Sequence, residues 1–119
     1  MSKNNTVTPE TAMRLKAAGF PQPERYEADS MYYSVRLGTT HWITPISWLY
    51  NQVPDGNMYY MPTITDLLST LGEVVIRRIL TPDGYFYTVA KNVGDDTEIT
   101  SDYDLAEALA LMWEKFNKQ

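Results

Sequence analysis

A single turn signal between two runs of β-forming residues constrains this chain more than any other feature. Residues 81–84 combine Pro82, which presets the first corner of a turn, with Gly84, which readily takes a positive φ. The flanking runs at 73–80 and 85–90 are rich in valine, isoleucine and tyrosine. The pattern predicts an antiparallel hairpin. Because 73–80 is apolar at both parities, we expect it to be an inner strand that is at least partly covered on both faces.

The carboxyl-terminal part of the chain predicts an amphipathic helix. Apolar residues recur there at i, i+4, i+7 and i+11, which places them on one helical face: Leu105, Leu109, Met112 and Phe116. Ser101, with Asp104 three residues later, resembles a capping box with an aspartate in place of the usual glutamate. We therefore expect the helix to start at Ser101 and to pack against the sheet.

Other local signals predict two more helices and a second hairpin. Thr8 and Pro9 begin a helix at 10–18, and Thr63 with Asp66 begins another that ends at Gly72. The remaining signals predict strands at 31–37 and 40–44, an extended segment at 58–61 and a short strand around 98–99. The expected class is α+β: a small antiparallel sheet of two hairpins with three helices. We expect a single domain over 1–119, with 1–8 flexible.

Composition excludes several classes of protein. The 119 residues include no cysteine, which removes disulfides and thiolate metal sites. No apolar run approaches the length of a membrane helix, and the amino terminus lacks the pattern of a secretory signal. We therefore expect a cytoplasmic protein that does not bind a membrane. Residues 91–119 hold seven acidic and three basic residues, a net −4 out of the chain's −5, and Arg77–Arg78 is the only basic pair. No nucleic-acid partner is expected.

No catalytic set, cofactor motif or metal motif is assembled in the sequence. His41 is the only histidine, and its position beside Trp42 favours a hairpin residue over a general base. The acidic residues near the carboxyl end lack the spacing of a calcium loop: Asp95, Asp96, Glu98, Asp102 and Asp104. We expect no catalytic residue, no cofactor and no metal.

The aromatic residues are concentrated between Tyr26 and Tyr60, where eight tyrosines and tryptophans lie within 35 residues. Such rings fill small cores, and they also form the energetic centre of protein interfaces. The stretch 46–53 within this window fits either a helical turn or an extended cover. The residues expected to bind a protein partner, or a second copy of this chain, are Tyr32, Trp42, Trp48, Tyr50 and Tyr59.

Three segments in this order, 15–23, 61–72 and 104–113, resemble a group of small uncharacterised proteins. Those proteins occur in phages and integrated mobile elements of gut Bacteroidetes, and the resemblance extends over about residues 11–117. It implies expression in the cytoplasm of a bacterial host, and it carries over no catalytic residue.

Three functional hypotheses follow from the sequence. The leading one is a non-enzymatic accessory protein of a phage or mobile element that acts through protein–protein contacts. The second is an acidic inhibitor that mimics nucleic acid and binds a host defence protein. The third is a small enzyme that uses His41 together with carboxylates near the carboxyl end.

Overall fold

The computed structural model describes residues 6–117 and confirms the α+β class. These residues form α1 (Pro9–Ala17), β1 (Ser30–Ser34), β2 (Thr39–Ile43), β3 (Met58–Met61), α2 (Ile64–Leu71), β4 (Val75–Thr81), β5 (Gly84–Val93), β6 (Asp96–Asp102) and α3 (Leu105–Asn117). The strands form two three-stranded antiparallel sheets in the orders β2-β1-β3 and β4-β5-β6. No helix within 6–117 is both long and apolar enough to cross a membrane.

The chain divides into two compact units. The first is Thr8–Pro62, and the second combines, among the described residues, Thr6 and Val7 with residues 63–117. Residues 1–5 of the segment expected to be flexible lie outside the described residues. Thr6 forms an isolated β-bridge with Thr63, and Val7 is buried.

In the first unit, α1 packs against β3 beside the sheet β2-β1-β3. Thr8 caps the helix as predicted: its hydroxyl accepts a hydrogen bond from the Thr11 amide, and Gly19 follows the helix with a φ of +96°. The hairpin of β1 and β2 aligns Tyr32 with His41. β1 ends at Ser34, earlier than predicted, because the following residues through Gly38 form the turn.

The second unit confirms the predicted hairpin and the packing of the last helix. β4 and β5 are joined across the turn at 82–83, where the Thr81 hydroxyl donates a hydrogen bond to the Gly84 carbonyl oxygen. The capping box of Thr63 and Asp66 begins α2. α3 packs against α2, β5 and β6, and the buried Thr100 hydroxyl donates a 2.8 Å hydrogen bond to the carbonyl oxygen of Ala108.

The prediction that the strand at 73–80 is an inner strand is wrong. β4 lies at the edge of its sheet, and six of its seven residues are exposed. Apolar residues at both parities identify the strand, but its burial depends on which elements pack against it. α3 packs on β5 and β6, where Val89 and Thr100 are buried.

The prediction that Ser101 caps the last helix is also wrong. Ser101 belongs to β6, and the helix begins at Leu105. Asp104 takes the capping position: its side chain accepts a 2.9 Å hydrogen bond from the Ala106 amide, and its carbonyl accepts the Ala108 amide. The pairing of β5 with β6 extends to Asp102, so the strand includes residues that local capping rules assign to the helix.

Candidate protein-binding surface

The segment 44–53, called here the aromatic loop, follows β2 and consists of successive tight turns. Backbone amides donate hydrogen bonds to carbonyl oxygens three residues earlier, from Ser47 to Thr44, from Tyr50 to Ser47 and from Gln52 to Leu49. Of the two alternatives for this stretch, the structure therefore favours the helical turn over the extended cover. These bonds satisfy backbone groups locally and restrain the conformation of the loop backbone.

Two backbone hydrogen bonds tie the carboxyl end of the aromatic loop to Tyr26. The Tyr26 amide donates to the Gln52 carbonyl oxygen (2.8 Å), and the Asn51 amide donates to the Tyr26 carbonyl oxygen (2.9 Å). The Arg25 guanidinium adds a 3.1 Å hydrogen bond to the carbonyl oxygen of Asn51. Asn51 itself has a φ of +67°, a left-handed conformation that asparagine tolerates better than most residues.

The loop separates its apolar side chains into buried and exposed groups. Leu49 packs against the core of the unit, which is formed by Tyr26, Tyr32, Ile43 and Met58. Trp48, its neighbour in sequence, is 79% exposed, and Ile46 is 95% exposed. A tryptophan and an isoleucine held this far into solvent carry a hydrophobic cost that a partner surface would remove.

A cavity of about 360 Å³ lies beside Trp48. Tyr26, Leu49 and Met58 contribute apolar wall, while Arg36 and Asp55 contribute charges of opposite sign. His41 also lines it, on the same sheet face as Tyr32. The cavity thus combines aromatic, aliphatic and charged groups, a composition that suits one large side chain of a bound protein.

A second depression of about 400 Å³ is also lined by Tyr26. Tyr50 and Asn51 line it together with a polar segment of the preceding connector, residues 24–28. Burial raises the pKa of Tyr26, and the charge of Asp55 adds to this shift. Tyr26 lines both depressions, and its phenol is neutral at pH 7.

Of the five aromatic residues predicted to bind a partner, Trp48 and Tyr50 both lie in the aromatic loop, where Trp48 lines the first cavity and Tyr50 the second. Tyr32 belongs to the core, 1% exposed, with its ring 4.7 Å from that of Tyr26 and 5.4 Å from that of Tyr60. Its hydroxyl makes no hydrogen bond of acceptable geometry among the described residues, although the nearby Ser30 side chain offsets part of the rise in its pKa. Burial raises its pKa above the ordinary 10.0, and the charge of Glu27 adds to the shift.

Trp42 and Tyr59 lie on the opposite sheet face from Tyr32. His41 and Tyr60 are the residues paired with Tyr32, and Trp42 and Tyr59 are their immediate neighbours in the strands. Trp42 is half exposed there. Tyr59 is partly covered by Lys16, whose ammonium group lies 4.6 Å from the ring centre. Neither residue lines the cavity beside Trp48.

The residues considered for catalysis and metal binding are dispersed. The His41 ring nitrogen Nε2 lies 3.1 Å from the Thr39 hydroxyl. Glu98 forms an ion pair with Lys115 (3.3 Å), and Asp104 caps α3. Within the described part of the chain, no three histidine, aspartate or glutamate side chains are grouped so that they could hold a metal ion.

The structure adds residues that the sequence did not single out. Ile46 and Val53 are exposed in the aromatic loop, and Leu37 is exposed at the β1–β2 turn beside the cavity. Arg36 and Asp55 contribute the charges of the cavity wall. The available sequence signal was the absence of periodicity between Pro45 and Pro54, which locates an irregular segment but not its exposed side chains.

Comparisons of the chain with protein-family models, curated proteins and solved structures found no match.

Proposed function

We propose that this chain is a non-enzymatic accessory protein that acts through protein–protein contacts made by the aromatic loop. The exposed Trp48, held on a tightly bonded loop, is the observation that supports this most strongly. The sequence resemblance adds a setting: the cytoplasm of a bacterial host that carries a phage or mobile element.

Tryptophan and tyrosine dominate the energetics of protein interfaces because they bury a large area at a low entropic cost. Trp48 and Tyr50 are both exposed, and the loop backbone between Thr44 and Gln52 is already hydrogen-bonded. A loop ordered before binding loses little conformational entropy when the complex forms. This combination favours a binding surface over an incidental turn.

The cavity beside Trp48 gives the surface a second, concave element. Its mixed walls, with Arg36 and Asp55 among the lining residues, suit a partner side chain that has both an apolar body and a polar end. Trp48 would enter a pocket on the partner while a partner side chain enters this cavity. Paired insertions of this kind are common at the centre of interfaces.

Affinity capture from host lysate tests the proposal with two tryptophan variants. Trp48→Ala should reduce the captured partner by about tenfold or more, as expected for an interface hot spot. Trp42→Ala is the matched control, because Trp42 is also exposed but lies on the opposite sheet face from the cavity residue His41. Circular dichroism confirms that both variants are folded. Equal capture by folded Trp48→Ala and wild-type protein would overturn the proposal.

A further inference from the structure

β4 is an edge strand with the amino-acid content of an inner strand. Its outer edge pairs with no strand within the described residues. Four apolar residues of this strand are exposed, with Val75 and Ile79 on one face and Ile76 and Leu80 on the other. Val75 is 61% exposed and Leu80 is 72% exposed. Proteins normally protect such an edge, because its unpaired backbone groups accept further strands.

The sheet face that carries Val75 and Ile79 continues the apolar surface onto the neighbouring strands. Val75 aligns with Ala90, and Ala90 with the exposed Ile99. Ile79 aligns with Phe86, whose ring packs edge-on against Tyr103 at 4.9 Å. β4 therefore exposes its outer edge and borders an apolar surface that an added strand would extend.

The charges of β4 restrict what can pair with it. Arg77 and Arg78 occupy the centre of the strand, and their side chains point to opposite faces. The Arg78 guanidinium lies 4.2 Å from the centre of the Tyr85 ring, which keeps this charge beside the strand. The two faces of the edge thus each carry one positive charge between apolar residues.

These charges disfavour a second copy of the same strand. Two β4 strands related by a twofold axis pair antiparallel, and a register centred on Arg77 or Arg78 places that arginine directly opposite its copy. Like charges in directly opposed positions destabilise a sheet. A strand with two consecutive acidic residues, by contrast, would present one carboxylate to each face and meet both arginines.

We propose that β4 is a docking edge for an extended segment of another polypeptide, with two consecutive acidic residues between apolar ones. The segment pairs along the edge by backbone hydrogen bonds, and β4 becomes the inner strand that its sequence resembles. This docking edge belongs to the second unit and does not depend on the aromatic loop of the first.

Two synthetic peptides test the docking edge. The first has two central glutamates with a valine and an isoleucine on each side, and the second has two lysines in place of the glutamates. Fluorescence anisotropy measures the binding of each peptide, and amide chemical shifts of ¹⁵N-labelled protein locate it. We expect the acidic peptide to bind about tenfold or more tightly than the basic one and to shift amides of β4 but not of β6.

The double variant Arg77→Glu/Arg78→Glu should reverse this preference and bind the basic peptide. Both arginines are exposed, so the variant should keep its fold, which circular dichroism checks. Equal binding of the two peptides to wild-type protein, no binding of the acidic peptide, or shifts at β6 instead would overturn the proposal. The proposal would also be overturned if the wild-type protein sedimented as a dimer and the double variant as a monomer. The occupant of the edge would then be a second copy of this chain.

Discussion

The backbone amide of Tyr26 donates a 2.8 Å hydrogen bond to the carbonyl oxygen of Gln52, which joins the connector before the first sheet to the end of the aromatic loop. Because Tyr26 is also a core residue, this bond connects the loop directly to the packed interior of its unit. The exposed Trp48 thus lies on a segment that is fixed at Tyr26 and again where Leu49 packs inward.

Asn51 should control the order of this loop, because its backbone has a φ of +67°. Asn51→Val introduces a β-branched side chain into the left-handed region and should lower the free energy of unfolding by about 1–2 kcal/mol. Asn51→Gly, the matched control, adopts this conformation freely. Urea denaturation measures both variants, and hydrogen exchange at the Tyr26 amide reports on the loop. Equal stability of the two variants would contradict this role.

Tyr32→Phe should not destabilise the protein at neutral pH. The buried hydroxyl makes no hydrogen bond of acceptable geometry among the described residues, so its removal relieves a desolvation cost of about 1 kcal/mol. Chemical denaturation at pH 7 should show an equal or higher free energy of unfolding. A loss of several kcal/mol would show that the hydroxyl is satisfied.

The same substitution should alter the response to alkaline pH. The folded-state pKa of Tyr32 lies above its ordinary value of 10.0, so the folded state holds the phenol proton more tightly than the unfolded state does. The corresponding stability is complete below pH 10.0 and is lost as the pH rises above that value. Tyr32→Phe should therefore weaken the alkaline loss of stability, as followed by denaturation across this range.

Asp104, and not Ser101, should contribute the cap of α3. Asp104→Ala should lower the free energy of unfolding by about 1 kcal/mol, whereas Ser101→Ala should leave it nearly unchanged. Asp104→Asn keeps the accepting oxygen and removes a charge whose burial raises the carboxyl pKa. We therefore expect it to be at least as stable as the wild type at pH 7. A larger loss of stability for Ser101→Ala than for Asp104→Ala would show that Ser101 caps the helix.

Leu109 and Leu105 belong to the same apolar stripe but differ in burial, so they test the packing of α3 as a pair. Leu109 is fully buried, and Leu105 is partly exposed at the start of the helix. Leu109→Ala should cost about 2–5 kcal/mol, and Leu105→Ala clearly less. Equal losses would mean that the helix packs in a different rotation.

Features determined by neighbouring residues were predictable from the sequence. The turn before Gly84, the capping box at Thr63 and the apolar stripe through Leu109 each depend on a few adjacent positions, and the structure contains all three. The position of β4 at a sheet edge depends on which strands pair and where α3 packs. Alternation of side chains assigns residues to two faces but does not say which face is covered.

The aromatic window was predictable only as a region. Period-two alternation separates Tyr32 from Tyr33, yet both faces of that strand are aromatic, so the pattern alone does not identify the core face. Trp48 and Tyr50 lie where no period applies. Their exposure depends on turns that close against Tyr26, more than 20 residues earlier in the chain.

Site-specific photocrosslinking in bacterial cells tests the proposed role of the aromatic loop most directly. A benzophenone amino acid at position 48 should crosslink to a discrete protein partner, and the same group at position 42 should not, because Trp42 lies on the opposite sheet face from the cavity residue His41. Excess unlabelled wild-type protein should compete with the crosslink, and excess Trp48→Ala should not. Crosslinking from position 42 alone, or a crosslink at position 48 that Trp48→Ala competes away equally well, would contradict the proposed binding surface.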